Sequence, residues 1–373
     1  MITLYIVDMT SCKIFNMKIC ISLILLSGTL PGYLKNFSFV PYKLENVNMK
    51  HMEKNNKPQI IIIAGPTCVG KTRVAIQIAQ KWGGEIIGAD AVQVYRYMDI
   101  GTAKPDASEQ AQVKHHMIDI VDPDVRFDSA MYVDRARPII QQLHDSHTPI
   151  FLVGGSGLYI KTLTQGLFQS APGNPSIRQK YKQLAARHGN TWLYELLKAQ
   201  DPDAASTIHP NDMVRIIRAL EVFETTGRSI REHHQSHQFS DHPYRLFKIM
   251  LNDDRKQLYR RIDRRVDRMI QDGFLKEVHS LIHRGYHCQL NAMQSIGYKH
   301  MCAYINGQLG WKEAITLLKR DTRRYAKRQF TWFRADKSFI WTHASDIATL
   351  YPKIHDFIYS SRNPTSQNQP CMV

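Results

Sequence analysis

An apolar run, a glycine-containing turn and a helical pattern follow one another near residue 60. Four consecutive isoleucines at 60–63 predict a strand covered on both faces, because runs of β-branched residues favour fully buried strands. After the turn, apolar residues recur at helical spacing, at Val74, Ala75, Ile78 and Ala79. The turn itself reads Gly65-Pro66-Thr67-Cys68-Val69-Gly70-Lys71-Thr72. A strand, such a loop and a helix in this order are the context of a phosphate-binding loop.

Each part of this loop has a physical task in binding a phosphate. Gly65 and Gly70 let the backbone curl so that successive N–H groups point at one anion, and the following helix adds its positive N-terminus. Lys71 supplies a mobile positive charge to the terminal phosphate, and the Thr72 hydroxyl is a ligand for Mg²⁺. The sequence therefore predicts a bound diphosphate or triphosphate with Mg²⁺ as cofactor, without identifying the molecule that carries the phosphates.

A second strand pattern, Glu85–Ala89, ends at the carboxylate of Asp90. Ligands of parallel α/β sheets bind beyond the carboxyl ends of the strands, so we expect Asp90 to face the same crevice as the loop. Asp90 could hold Mg²⁺ through water or act as a general base on an acceptor substrate. A third interpretation, in which Asp90 only caps the next helix, stays open.

The remaining pattern predicts an α/β fold with a P-loop-type parallel sheet core flanked by helices and a helical insertion. Further strand patterns lie at 149–153 and 244–251, and the segment between them is polar and helical. The predicted division is an N-terminal extension outside the fold at 1–57, a core at 58–168 and 243–345, the insertion at 169–242, and a C-terminal segment at 346–373 with a disordered tail. Gly154-Gly155-Ser156 stands where a nucleotide hydrolase would place its Mg²⁺-holding acid, which argues against an ATPase.

The N-terminal extension carries an apolar run at 19–26 that resembles a weak signal peptide. The run is shorter than the roughly 20 residues that a membrane span needs. We favour a translation start at Met49 or Met52, which removes the run. We therefore expect a cytoplasmic protein without membrane contact.

Cysteine and histidine usage bears on metal binding and redox state. The six cysteines lack Cys-x-x-Cys pairs and zinc-finger spacing, which predicts reduced thiols and no structural zinc. The adjacent His115 and His116 lack metal-ligand spacing and are expected to make ordinary polar contacts. His233, His234 and His237 are expected to be solvated loop residues.

The charge balance narrows the class of partner. A net charge of +16 and a pI near 9.5 indicate a polyanionic partner. Basic residues are dense and acids sparse in two helical patterns, at 255–269 and 319–334, and aromatic residues adjoin the second. Such surfaces suit the phosphate backbone and the stacked bases of a nucleic acid.

Together these segments resemble the tRNA dimethylallyltransferases, also called tRNA isopentenyltransferases. The matching runs are 65–72, 90–95, 98–105, 154–167, 208–227, 294–299 and 322–332. The likeness covers about residues 58–345. It is to the bacterial type, because the C-terminal zinc finger of many eukaryotic members is absent.

The resemblance implies an activity and a set of site residues. The loop would hold the diphosphate of dimethylallyl diphosphate, helped by Arg261 and Mg²⁺. The acceptor would be N6 of adenosine 37, flipped out of the anticodon loop of tRNAs that read codons beginning with U, with Asp90 as its base. A monomer is expected. The implied tRNA contacts are Asp90, Ala91, Val92, Gln93, Ser156, Arg178, Val214, Arg215, Ile216, Ile217, Arg218, Gln294, Ser295, Ile296, Gly297, Tyr298 and Lys299.

Two departures and two rival interpretations accompany this assignment. Ala91 replaces the serine that commonly follows the aspartate in the family, so a hydroxyl contact is lost there. Cys68-Val69 replaces the usual small pair of the loop and should be tolerated, since backbone N–H groups do the binding.

The rivals are a P-loop small-molecule kinase, with Asp90 orienting an acceptor hydroxyl, and a non-catalytic RNA-binding module. The module is disfavoured because no Asn-Lys-x-Asp motif is apparent.

Overall fold

A parallel sheet of six strands forms the centre of the structure, a computed structural model that describes residues 57–166, 173–237 and 242–360. Predictions for residues 1–56 and for the tail after 360 lie outside these residues. The strands are β1 Gln59–Ala64, β2 Glu85–Ala89, β3 His115–His116, β4 Ile150–Gly154, β5 Arg245–Asn252 and β6 Ile340–His343.

The helices of the described residues connect these strands, and one more follows the last strand. Those of the core are α1 Lys71–Trp82, α2 Ala107–Gln112, α3 Ser129–Asp145, α4 Gly157–Gln165, α10 Arg255–Gln271, α11 Phe274–His283, α12 Tyr298–Ile305, α13 Trp311–Arg334 and α14 Tyr351–Tyr359. Between α4 and β5 lie α5 Pro175–His188, α6 Asn190–Gln200, α7 Pro202–Ala205, α8 Met213–Thr226 and α9 Ile230–His237. Two 3₁₀ helices occupy Ala292–Gln294 and Ala344–Leu350. None of these helices combines the length and apolar composition that crossing a bilayer requires.

The sheet order is β3-β2-β4-β1-β5-β6, and every pairing is parallel. Strand β1 lies inside the sheet, with Ile60 opposite Ile150 of β4 on one side and Leu246 of β5 on the other. The predicted parallel α/β fold is confirmed. Because the strands are parallel, the ends of β1, β2 and β4 meet at one edge of the sheet.

Alternate residues of β1 enter two separate cores, as the run of isoleucines predicts for a strand covered on both faces. Ile60 and Ile62 pack with α3, α4, α11, α12 and part of α13. Ile61 and Ile63 pack with α1, the first half of α10 and α14. Helix α14 and the preceding 3₁₀ helix are integral to this second core, although the sequence pattern did not predict them.

Helices α5 to α9 enclose a buried cluster of their own, which includes Tyr181, Leu193, Leu197, Ile216 and Leu220. They lie in the predicted insertion, but its boundary at residue 169 is outside the described residues, so the domain limits stay predictions. The expected loop around His233 is wrong, because these residues form α9. His233 is half-buried, and its Nε2 lies 3.1 Å from Thr226 Oγ1.

One pair of cysteines departs from the prediction of reduced thiols. Cys288, between α11 and α12, forms a disulfide with Cys302 of α12, with the two Cα atoms 5.8 Å apart. The two cysteines are 14 residues apart in the sequence. They come together because the segment between α11 and α12 folds back on α12, and the Cys-x-x-Cys and zinc-finger spacings do not cover such a pair. Cys68 of the loop is a free cysteine.

Candidate active site

A cavity of about 900 Å³ opens at the sheet edge where β1, β2 and β4 end. The loop after β1, Asp90 after β2, Gly154 of β4 and residues 99–107 form its walls, together with side chains of α10 and α13. The residues that line the cavity include Thr67, Cys68, Gly70, Lys71, Thr72, Asp90, Gln93, Thr102, Arg265, Tyr325 and Gln329.

The loop between β1 and α1 has the curled backbone that the sequence predicted. Gly70, directly before α1, has φ 97°, and Cys68 has φ 65°, so two left-handed residues turn the chain. Gly65 serves close approach instead, since an added Cβ would lie 2.8 Å from Val69 Cγ1 and 3.1 Å from the carbonyl oxygen of Leu251. The Val69 side chain is buried in the second core.

Lys71 is half-buried in the wall of the cavity, where its Nζ donates a 2.9 Å hydrogen bond to the carbonyl oxygen of Pro66. Burial lowers the pKa of Lys71 to about 8; the positive charge of Arg265 acts in the same direction, whereas Asp90 opposes it. An anion bound in the loop would stabilise the ammonium form.

Asp90 caps the residues that follow it, which is one of the three roles that its sequence position left open. Its Oδ1 accepts hydrogen bonds from the N–H groups of Val92, at 2.9 Å, and Gln93, at 3.3 Å, which caps a series of turns. The residues after Asp90 are turns and not a helix. The same side chain lines the cavity, so capping and chemistry do not exclude each other.

Tyr325 of α13 lies beside Asp90, and the sequence alone gave it no role. Burial and the negative charge of Asp90 raise the pKa of Tyr325 to about 12, against opposing hydrogen bonds with Ser156 and Gln329. The phenol therefore stays protonated at neutral pH. Ser156 also accepts a 3.0 Å hydrogen bond from the N–H of Ala91 through its Oγ.

Gln329 of α13 ties the phosphate-binding loop to the end of β4. Its Oε1 accepts from the Thr67 N–H at 2.9 Å, and its Nε2 donates to the Gly155 carbonyl oxygen at 2.9 Å. An added Cβ on Gly155 would lie 2.1 Å from that Nε2, so the glycine makes room for the amide. A side chain of α13 thus bonds to the backbone directly after β4.

The arginine at the loop is Arg265 and not Arg261. Arg265 Nη1 donates to Thr67 Oγ1 and Nη2 to the Thr102 carbonyl oxygen, both at 3.2 Å. Arg261, one turn earlier on α10, pairs with Asp253 and is not among the residues lining the cavity. The role of Arg261 at the donor diphosphate stays a prediction, and in this structure its guanidinium group is engaged by the acid between β5 and α10.

Comparison with known proteins agrees with this geometry. A family model described as IPP transferase matches residues 93–336. The chain is 50% identical over 285 residues to a tRNA dimethylallyltransferase of Desulfosudis oleivorans, covering 76% of this chain and 91% of the relative. The chain belongs to the tRNA dimethylallyltransferase family.

Solved structures of this family extend the comparison to the fold. The tRNA isopentenylpyrophosphate transferase of Bacillus halodurans is similar with a TM-score of 0.62 and 38% identity, covering 82% of this chain and 98% of that one. A eukaryotic dimethylallyltransferase, solved acting on tRNA, gives a TM-score of 0.66 at 28% identity, covering 83% and 81%.

The tRNA contacts that the family resemblance implies for this transferase lie in three regions of the structure. Near the cavity, Asp90 and Gln93 line the wall, and Gln93 Nε2 donates to the carbonyl oxygens of Thr102 and Ala103. Ala91 and Val92 pack, partly buried, against the first core.

The second region is 294–299, where several side chains are internal. Tyr298 is fully buried, and its hydroxyl donates a 2.6 Å hydrogen bond to Glu277 Oε1. Gly297 has φ 102°, and Lys299 pairs with Asp321 at 3.3 Å. Gln294 and Ser295 donate to backbone carbonyls, and Ile296 packs on the first core. The Tyr298 side chain is therefore internal in this conformation, and its implied tRNA contact stays a prediction.

The third region is helix α8, together with Arg178 of α5. Val214 is 80% exposed and Arg215 is also exposed, whereas Ile216 and Ile217 are buried in the helical cluster. Arg178 and Arg218 both pair with Glu221. The face of α8 that carries Val214 and Arg215 is thus accessible to a partner. Ile216 and Ile217 on the opposite side pack into the helical cluster.

Proposed function

We propose that this protein transfers a dimethylallyl group from dimethylallyl diphosphate to N6 of adenosine 37, in tRNAs that read codons beginning with U. The products are N6-(dimethylallyl)adenosine and diphosphate. The observation that carries the proposal is that the phosphate-binding loop and Asp90 line one cavity. The relatives named tRNA dimethylallyltransferase support it further.

The loop is suited to bind the donor through its diphosphate. The first residues of α1 line the cavity, so the positive N-terminus of this helix is close to it, and Lys71 and Arg265 add two positive charges. As the donor C–O bond breaks, negative charge develops on the diphosphate, and these groups stabilise it. Thr67 and Cys68 are held by Arg265, which fixes the loop before the donor arrives.

Asp90 is suited to take the proton that leaves N6 when the new C–N bond forms. Hydrogen bonds from the described residues reach its Oδ1, which leaves Oδ2 as an acceptor. The two bonds to Oδ1 fix the direction of the carboxylate, as a positioned base requires. Tyr325 and Ser156 border the same space.

Mg²⁺ is proposed as the cofactor because the oxygen donors at the loop fit it. Thr72 offers a hydroxyl in the cavity, and Asp90 would act on Mg²⁺ through a water molecule, which keeps its Oδ2 as the acceptor. Mg²⁺ often uses only one or two protein ligands beside phosphate and water. The described residues contain no cluster of three or more His, Cys, Asp or Glu side chains placed for a metal ion. Bound Mg²⁺ would neutralise charge on the leaving diphosphate.

The partner is proposed to be the anticodon stem-loop of tRNA, gripped by the helices α5 to α9. Flipping a base costs a few kcal/mol and is least costly in an unpaired loop. We also propose that the protein acts as a monomer and that it works in the cytoplasm with its tRNA substrate.

The test is transfer of labelled dimethylallyl diphosphate by the 49–373 protein with Mg²⁺. The acceptors are an anticodon stem-loop carrying A37 and the same RNA with G37. We expect label in the A37 RNA only. Label in both RNAs would refute N6 of A37 as the acceptor, and folded protein that labels neither would refute the transferase assignment. An ATP turnover assay without RNA would then test the kinase interpretation.

A further inference from the structure

Glu221 is a fully buried carboxylate on α8, with a side chain 1% exposed. Its Oε1 accepts from Arg178 Nε at 2.8 Å and from the Asn174 N–H at 2.6 Å. Its Oε2 accepts from Arg218 Nη1 at 2.6 Å. Two guanidinium groups from different helices, α5 and α8, therefore meet at one acid.

The acid is charged in this setting. Burial by itself raises the pKa of Glu221, but hydrogen bonds from Arg218, Arg178 and Asn174 outweigh it, so the pKa lies below its usual value. Two guanidinium groups repel one another when they are close, and a single carboxylate between them offsets that repulsion. The cluster keeps a net positive charge.

The arginines remain accessible although the acid is not. The Arg178 side chain is 22% exposed and that of Arg218 is 25% exposed. Gly173 contributes room, because an added Cβ there would lie 2.5 Å from Arg178 Nη2. Guanidinium groups held in fixed directions bind phosphate oxygens well, since their forked donors match the geometry of the anion.

We infer that Glu221 is a positioning residue that holds Arg178 and Arg218 side by side to bind a backbone phosphate of the tRNA stem-loop. The inference rests on the proposed function and adds to it the buried acid behind the arginines. Glu221 itself does not touch RNA. Its effect is therefore on RNA affinity and on the number of ionic contacts, and not on the chemical step.

The experiment compares Glu221→Gln with Glu224→Gln in the full chain. Glu224 lies one turn later on α8 and accepts from Lys180 and the Tyr181 hydroxyl, so both variants remove one acid from the same helix. We measure dissociation constants for an anticodon stem-loop at several salt concentrations. We also measure thermal stability, the KM for dimethylallyl diphosphate and kcat.

We expect Glu221→Gln to weaken stem-loop binding by about five- to tenfold and to lower the slope of log Kd against log salt by about 1, the loss of one phosphate contact. An amide cannot accept from both arginines, because its NH₂ group is itself a donor. Glu224→Gln should bind as well as the unmodified protein or slightly more tightly. The KM for the donor and kcat at saturating RNA should be unchanged in both variants.

Equal affinities and slopes for the two variants would overturn the inference while leaving the proposed function intact. If the unmodified protein neither binds nor modifies the stem-loop, the proposed function fails and the inference fails with it. Should Glu221→Gln not fold, Glu221→Asp keeps the charge but is too short to reach both arginines. It should lower affinity and slope in the same direction, and unchanged binding in that variant would refute the role.

Discussion

Asp90 has a structural task in the fold and, in the proposed function, a chemical one, with a different carboxylate oxygen for each. Oδ1 caps the turn at Val92 and Gln93, and Oδ2 is left for a proton. An asparagine in this position keeps an Oδ1 acceptor but cannot take up a proton. Substitution by asparagine therefore separates the two tasks.

We predict that Asp90→Asn lowers kcat by roughly 10²- to 10⁴-fold, the usual contribution of a general base. Thermal stability should change little, because the cap is retained. Single-turnover transfer and a melting curve are the measurements. A variant that melts earlier yet turns over normally would leave Asp90 only its capping role.

Lys71 should make donor binding depend on pH. With its pKa lowered to about 8, the free protein carries the ammonium below that pH and loses it above. Bound diphosphate raises the pKa again, so affinity should be constant below pH 8 and then fall by up to about tenfold per pH unit. Titration of dimethylallyl diphosphate from pH 6.5 to 9.5 tests this. Lys71→Met should bind weakly throughout, and a fall of equal size in that variant would assign the effect to another group.

Residues tied to a local motif could be predicted from the sequence, whereas those brought in by distant elements could not. Asp90 follows β2 directly, and Lys71 and Thr72 stand at a fixed spacing after β1, at the start of α1, so strand pattern and spacing place all three. Gln329 and Arg265 reach the loop from helices far along the chain, and their positions depend on packing. The basic pattern of α10 indicates which helix carries the arginines but not which of its turns reaches the loop.

At the scale of elements, helix α13 acts as a brace across the site. Gln329 joins the loop after β1 to the end of β4, two segments that the chain visits far apart. Through the same helix, Tyr325 borders Asp90. Helix α13 thus contacts both the phosphate-binding loop and the surroundings of Asp90.

We predict that Gln329→Ala destabilises the protein by about 1–3 kcal/mol, because it leaves the Thr67 N–H and the Gly155 carbonyl without their partner. The KM for the donor should rise as the loop loosens, with a smaller effect on RNA affinity. Denaturant melts and steady-state kinetics measure both quantities. Thr331→Ala, an exposed position two residues on, is the matched control and should resemble the unmodified protein. Equal effects in both variants would count against the brace.

Long, strongly patterned elements were predictable and short ones were not. The strands β1, β2, β4 and β5 and the helix α1 follow from apolar runs and helical spacing. Strands β3 and β6 have two and four residues, too few for a periodic signal. Helix α9 is rich in histidine and polar residues, so its composition resembled a loop although it continues the helical cluster.

At the scale of the whole molecule, clusters of charged side chains join helices and make the stability of the folded protein depend on pH. Asp321 of α13 meets Lys299 and His300 of α12 as well as Arg320. Burial raises its pKa, but hydrogen bonds from these groups outweigh burial and bring the pKa down to about 2. The folded form is therefore stabilised by the ionised acid.

The sign of the effect follows from the lowered pKa. Asp321 contributes stability in full above its ordinary value near 3.8, and the contribution is lost as the pH falls toward 2. We predict that Asp321→Asn costs on the order of 2 kcal/mol at pH 6 and much less at pH 2.5. Melting temperatures of both proteins across this range test it. A gap that stays constant with pH would show that charge is not the cause.

The order of strands also bears on how the chain is made. Strand β1 lies between β4 and β5 in the sheet. During synthesis its four isoleucines therefore have no strand partner until β4, which begins at Ile150, has been made. The second partner, β5, begins only at Arg245. Over that interval a strand with high aggregation propensity is exposed at both edges. Nascent chains that stall before β4 should therefore be insoluble without a chaperone, and the protein's yield in cells should depend on how fast the ribosome reaches β4.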